Sequence, residues 1–189
     1  MGRPPKKKNA IERAALELFA EVGIDAASVR LIAERAGVTE GALYRHHSSK
    51  DQLVRALFFR YFESYALLLK QAQAQSDVLA ERIGAMVGGF LRAYDEDPKA
   101  FFFVLLVQHE LLEEVRRDMA NPIEVVMEVL EEGIRRGEIP EQDVAFNAQL
   151  LMGMVMQTAV GNRYGRVKGP LAKRAPALTE ACLRVVGAT

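Results

Sequence analysis

The chain has three histidines in 189 residues, and two of them stand side by side in GVTEGALYRHHSSKDQL, Gly37 to Leu53. Around His46 and His47 this short stretch collects a hydroxyl at Thr39, a phenol at Tyr44, a guanidinium at Arg45 and an ammonium at Lys50. Donors of these kinds, crowded together, suit phosphate oxygens and base edges. They do not suit bond-breaking chemistry: no carboxylate, imidazole and hydroxyl set here or elsewhere has catalytic spacing, so no enzyme is expected. No spacing of His, Cys, Asp and Glu reads as a metal site, and nothing calls for a cofactor. The one cysteine, Cys182, excludes an intrachain disulfide and reads as a small buried hydrophobe.

Such donors need a rigid support, and the local pattern supplies one. Thr39 has the chemistry of a helix N-cap, with Val38 before it and Leu43 after it at the positions of a hydrophobic staple. The spacing predicts a short helix over Glu40–His47 with Leu43 turned inward. Glu40 and Tyr44, then Gly41 and Arg45, are pairs four apart on the opposite side. Gly41 costs about 1 kcal/mol of helix propensity relative to alanine, so helix stability alone does not select it. His47, four residues after Leu43, turns toward the interior, which separates its task from that of His46 and makes packing there sensitive to pH.

The surrounding elements read as helix almost throughout. Ile11, Ala14, Ala15, Leu18, Phe19 and Val22 form one amphipathic stripe that Gly23 ends. Ser28 caps a second short helix carrying Val29, Ile32, Ala33 and Ala36, and Gly37 breaks it before the third, giving a helix-turn-helix. Ser49-Lys50-Asp51-Gln52 opens a fourth helix running to about Gln75. Asp77 is expected to cap a fifth that reaches Tyr94. Further helices are expected over Lys99–Gln108, Glu110–Arg117, from Asn121-Pro122 to Gly137, over Asp143–Tyr164, and at the end, where Pro176 either starts or kinks the last one. No strand pattern or repeat occurs, so the expected class is all-α.

Composition agrees with a globular chain: half its residues are apolar and about a quarter charged. The longest apolar runs, such as FFFVLLV at 101–107, fall short of the roughly 20 residues of a membrane span, and the N-terminus has no secretory signal. A cytoplasmic protein without membrane contact is expected. Net charge is zero, but residues 1–50 hold nine Lys and Arg against six Asp and Glu, so a basic head precedes a mildly acidic body.

SVRLIAERAGVTEGALYRHHSSKDQL resembles the helix-turn-helix signature of the tetracycline-repressor (TetR) family of bacterial transcription regulators. Phe19, Gly23, Val29, Ile32, Ala33, Ala36, Gly37, Val38, Leu43, Tyr44, His46, Lys50 and Leu53 fall in register with it. The resemblance implies an N-terminal three-helix DNA-binding domain at 1–50 and a larger helical effector-binding and dimerisation domain at 51–189. It implies that Tyr44, His46 and Lys50 clamp phosphates and that Thr39, Glu40, Gly41, Ala42 and Arg45 line the major groove. Ser28 is a further expected DNA contact, and Arg3 in the GRPPKKK arm is placed to reach a minor groove. Two positions depart from the family pattern: Glu40 is often basic or polar there, and the place of His47 is usually apolar.

The same resemblance implies a ligand-responsive repressor that binds a palindromic operator as a homodimer. A largely apolar small-molecule effector would sit among the middle helices, with Met86, Phe102, Phe103, Met127 and Met152 as candidate wall residues. The stripe Ala148, Leu151, Met152, Val155 and Ala159, together with Leu178, Ala181, Cys182 and Val185, is expected to build half of an intermolecular four-helix bundle. The other reading is a helical binding or interaction protein whose head no longer recognises DNA, and Glu40 is the feature that favours it.

Overall fold

The computed structural model describes residues 6–116 and 118–188, so Arg3 and its expected groove contact lie outside the described residues. The fold is all-α. Among the described residues the helices are α1 (Lys6–Val22), α2 (Val29–Arg35), α3 (Glu40–Tyr44), α4 (Lys50–Gln73), α5 (Leu79–Glu96), α6 (Pro98–Leu111), α7 (Pro122–Arg135), α8 (Val144–Arg163) and α9 (Ala175–Val186). Short 3₁₀ turns follow α6 at Leu112–Glu114 and precede α9 at Leu171–Arg174. The chain divides into two compact units: Met1–Tyr61 with Lys99–Val115, and Phe62–Pro98 with Arg116–Thr189.

In the first unit α1 packs on α2 and α2 on α3. The stripe read from the sequence is buried except at its end, where Val22 is 52 % exposed: Ile11, Ala15 and Phe19 of α1, Ile32 of α2, Leu43 of α3 and Leu53 and Leu57 of α4 are at most 2 % exposed. This core has a contributor that periodicity could not assign to it. Phe103 of α6 is fully buried and stacks on Phe19, with ring centroids 5.6 Å apart and planes 20° from parallel. Lys99 Nζ donates to Glu21 Oε1 at 3.0 Å, while Arg35 donates to Oε2 of the same carboxylate at 2.6 Å, so one side chain ties α6, α1 and α2. Both cations hold the Glu21 carboxyl below the usual carboxylate range.

In the second unit α5 packs on α9 and α7, α7 on α8, and α8 on α9. The expected Asp77 cap is replaced. Val78 is the cap residue of α5, and the first free amide of the helix, Leu79 N–H, donates to Glu138 Oε2 at 2.7 Å. A carboxylate 59 residues away thus satisfies the orphan donor, which no local spacing could announce. Asp95 near the end of α5 does the same for the turn before α9, accepting from Leu171 N–H and Ala172 N–H at 2.9 and 2.8 Å. The expected N-cap residues Asn121 and Asp143 do cap α7 and α8. Pro176 lies in the first turn of α9, where its missing N–H is harmless, so it starts the helix. The expected helix at Glu110–Arg117 is instead the last turn of α6 followed by a single 3₁₀ turn.

Candidate functional site

The turn between α2 and α3 is fixed by backbone geometry. Gly37 adopts φ +65°, the left-handed region that favours glycine, and Val38 N–H returns to the Ala33 carbonyl at 3.0 Å. Thr39 then caps α3, its Oγ1 accepting from Ala42 N–H at 3.2 Å. The helix is shorter than the sequence suggests. It ends at Tyr44, with His46 N–H and His47 N–H both directed at the Leu43 carbonyl, because His47 is drawn inward at the junction with α4.

A short rod results with two distinct sides. Ala42 and Leu43 are buried, whereas Thr39, Glu40, Gly41, Tyr44 and Arg45 are exposed, Tyr44 to 50 %. Ala42 departs from its expected place in a groove lining: only 5 % of it is exposed, because so short a helix needs two inward residues to hold it. Gly41 has an ordinary backbone, and a Cβ built on it would meet nothing within 4 Å. Neither conformation nor internal packing therefore requires glycine there. Ser28 Oγ accepts from Leu31 N–H at 3.2 Å and caps α2, leaving its own O–H to donate outward. His46 is half-buried. Lys50 is also half-buried, and its ammonium donates to the Ile24 carbonyl at 2.9 Å and the Asp25 carbonyl at 3.4 Å, which pins the α1–α2 loop to the start of α4.

Behind the rod lies a buried polar cluster that sequence reading found only in part. His47 is 2 % exposed and Glu12 of α1 is 4 % exposed. His47 Nδ1 stands 3.1 Å from Gln52 Oε1, while Nε2 has no hydrogen bond and faces Glu12 Oε1 at 3.5 Å. The other Glu12 oxygen accepts from Arg60 of α4, and Lys8 lies 3.9 Å from Oε1. The signal for Glu12 was available: it follows buried Ile11 and stands three and four residues before buried Ala15 and Leu16, on the inward side of α1.

Burial pushes the His47 imidazole below its ordinary range, against the opposing pull of Gln52 and Glu12. A lowered folded value means that the fold prefers the neutral ring. The unfolded chain takes up the proton first on acidification, so this contribution to stability is present above about pH 6.5 and is lost as the pH falls. Thermal midpoints should therefore drop further between pH 7.5 and pH 5 for the wild type than for His47→Phe. Parallel curves, or a wild type that gains on acidification because Glu12 clamps a charged ring, would show that desolvation does not dominate.

The second unit contains a small apolar cavity of about 30 Å³, lined by residues that include Leu69, Met86, Phe90, Val126, Met152 and Cys182. Its volume holds little more than a water molecule. Of the five expected wall residues, Met86 and Met152 line it. Phe103 is committed to the core of the first unit, on Phe19, and Phe102 lies in α6 of that same unit with its ring against Phe101. Met127 is half-buried and outside the lining. Burial pushes the Cys182 thiol up to about 11, so it packs as a neutral small side chain.

On α8 the structure reverses the expected direction of the apolar stripe. Ala148, Leu151, Val155 and Ala159 are at most 7 % exposed, and Cys182 of α9 is fully buried, so these residues form the core of their own unit. Facing outward at steps of four, three and four are Phe146 (60 % exposed), Leu150 (40 %), Gly153 and Gln157. A shallow groove beside them is bounded by Met154, Val167 and Leu178. By length and mean hydropathy α8 would also suit a membrane span, but its inner stripe is occupied by protein.

Residues 11–57 match the family model described as bacterial regulatory proteins, tetR family. The fatty acid metabolism regulator protein of Bacillus subtilis (strain 168) is 26 % identical over 159 residues, which cover 82 % of this chain and 81 % of that protein. Among solved structures, the TetR family transcriptional regulator PfmR of Thermus thermophilus superposes with a TM-score of 0.77 at 25 % identity, covering 92 % of this chain and 97 % of that one. The transcriptional regulator FadR of Bacillus subtilis in complex with stearoyl-CoA superposes with a TM-score of 0.79 at 21 % identity, covering 96 % and 98 %. The helix-turn-helix geometry, the family match within it and the shared fold beyond it agree: residues 11–57 carry a tetR-family domain, and the chain is a DNA-binding transcriptional regulator.

Proposed function

We propose that the protein acts in the cytoplasm as a homodimeric, effector-responsive repressor of a two-fold symmetric operator. The observation that carries the proposal is α3 itself, a rod whose outward side offers Tyr44 and Arg45 and whose Gly41 no internal contact explains. One five-residue helix touches too few bases to select a site, whereas a pair related by a two-fold axis reads an inverted repeat. The outward row Phe146, Leu150, Gly153 and Gln157 on α8 supports the second copy, since two exposed large apolar side chains and a glycine at helical spacing suit the packing of another helix.

In this reading Tyr44, His46, Ser28 and Lys50 meet phosphates, Arg45 meets base edges, and the backbone of the first turn of α3 lies close to the groove. Lys50 then shares its ammonium between the loop carbonyls and a phosphate, or exchanges one for the other. The N-terminal arm with Arg3 adds salt-dependent affinity. The division of labour follows the chain: residues 1–50 read DNA and 51–189 bind the effector and the second copy.

The effector is assigned to the cavity beside Met86 and Met152, whose uniformly apolar lining suits a hydrocarbon chain. The neighbour solved with stearoyl-CoA makes long-chain acyl-CoA the first candidate. A cavity of about 30 Å³ admits such a chain only by opening, and the flexible methionines of its wall permit that. Because α4 belongs to both units, a shift of its Leu69 end is passed along one continuous helix to Lys50. The ligand weakens DNA binding by no more than its preference for the shifted state, about 1–3 kcal/mol in a typical coupling.

Selection from randomised duplexes should return an inverted repeat. Stearoyl-CoA should then raise the operator Kd about five- to 150-fold, with an enlarged cavity variant such as Met152→Ala changing the chain length preferred. No selected sequence at any salt concentration would defeat the DNA reading. Selection that succeeds but ignores acyl-CoA would defeat the effector assignment alone.

A further inference from the structure

We propose that Glu40 reads a base, and that it makes each half of the operator require a cytosine. The inference rests on the proposed entry of α3 into the major groove and adds which side chain does the reading there. The N-terminal half of such a helix is the part that meets base edges. In this chain its side chains can be counted off. Thr39 folds its hydroxyl back onto Ala42 N–H, Gly41 has no side chain, and Ala42 is buried. The Thr39 O–H stays free to donate, as that of Ser28 does, but it is short, and Glu40 is left as the longest outward side chain in that turn and its one carboxylate.

Glu40 is exposed, and among the described residues no Lys, Arg or His pairs with it. It is also the one carboxylate between Val38 and Ser49, within a stretch otherwise rich in donors. A carboxylate accepts hydrogen bonds and donates none, so against DNA it has two fates. Turned toward phosphates it is repelled. Turned toward the bases it accepts from an exocyclic amine, and the major groove offers cytosine N4 and adenine N6. Adenine sets its N7 acceptor beside the amine and repels the second carboxylate oxygen. Cytosine presents a C–H there, so cytosine is the partner that fits. The empty side of Gly41 gives the Glu40 stem room to extend across the first turn toward the base edge.

A carboxylate at the start of a helix is also favoured locally by the helix dipole, and this gives the competing account: a solvated residue that DNA merely tolerates. The two accounts part under substitution. Site selection is run on the full-length wild type, Glu40→Gln and Glu40→Ala, with thermal midpoints measured to show that all three are folded. The wild type should return an inverted repeat with an invariant C·G pair at one position of each half. Glu40→Ala should lower discrimination at that pair about tenfold and leave other positions unchanged. Glu40→Gln should move the preference to adenine, whose N6 and N7 pair with a carboxamide.

Placing N4-methylcytosine at the selected pair removes the groove-facing N4–H. It should weaken wild-type binding about tenfold and leave Glu40→Ala indifferent. The proposal is overturned if Glu40→Ala selects the same site and binds all sequences uniformly tighter, if the wild type selects adenine, or if the methyl group changes nothing. A wild type that returns no inverted repeat overturns it together with the DNA reading. A wild-type repeat that survives unchanged in Glu40→Ala overturns this assignment alone.

Discussion

Gly41→Ala is expected to stabilise the DNA-binding unit and weaken operator binding in the same molecule. The backbone at Gly41 is ordinary helix, so alanine fits without strain, and its methyl would stand in open space. Removing a helical glycine is worth about 0.5–1 kcal/mol. A side chain inserted between α3 and a duplex in close contact acts as overpacking does in a core, which costs about 1–3 kcal/mol and so roughly five- to 150-fold in Kd. Chemical denaturation of the variant should therefore give a higher midpoint while a gel shift gives a weaker complex. If stability rises and operator affinity stays put, DNA does not approach Gly41 closely, and the docking of α3 must be redrawn. Few substitutions separate the two quantities so cleanly, because most damage to a binding helix begins with damage to its fold.

Much of this head was legible because its determinants are local. Gly37, Thr39 and Ser28 announce a turn and two caps through their own backbone and side-chain chemistry, and each makes the bond expected of it. The inward stripe of α1 follows from a period of 3.6, and Phe19 and Ile11 lie where that period puts them. What was illegible depends on residues far apart in sequence. Phe103 carries the same apolar signature whether it lines a ligand cavity or stacks on Phe19, and only the path of α6 decides between them. Glu138 capping α5 and Lys50 bonding the Ile24 carbonyl join residues 59 and 26 apart. Glu12 shows a further limit. Its place on the buried side was readable, but its tolerance there comes from Arg60, His47 and Lys8 together.

The α8 stripe shows how a right pattern yields a wrong direction. Ala148, Leu151, Val155 and Ala159 have the spacing of an interface, and also that of a core. On a helix apolar on two sides, periodicity does not say which side meets its own chain. The exposed row resolves it: Phe146 and Leu150 leave apolar surface at the same spacing one side away, with Gly153 offering a flat place for another backbone to approach.

Leu150→Arg, with Gly153→Arg as a second variant, is accordingly expected to abolish the dimer and with it operator binding, while sparing the fold. Both positions are exposed, and exposed substitutions ordinarily shift stability by no more than about 0.5 kcal/mol, so helix content and the unfolding midpoint at low protein concentration should hold. At the proposed interface the consequence is far larger. A buried charge without a partner costs about 3–5 kcal/mol, and in a two-fold assembly each substitution occurs twice and near its own copy. The dimer constant should weaken by on the order of 10⁴-fold, as each 1.4 kcal/mol is a factor of ten. A monomer still carries one intact α3, so it should retain weak, salt-sensitive attraction to any duplex and lose selection of the inverted repeat. Sedimentation and site selection on the same preparations distinguish the outcomes. A variant that remains dimeric and selective would move the second copy to another face, whereas a monomer that still selects the full repeat would remove the two-fold argument altogether.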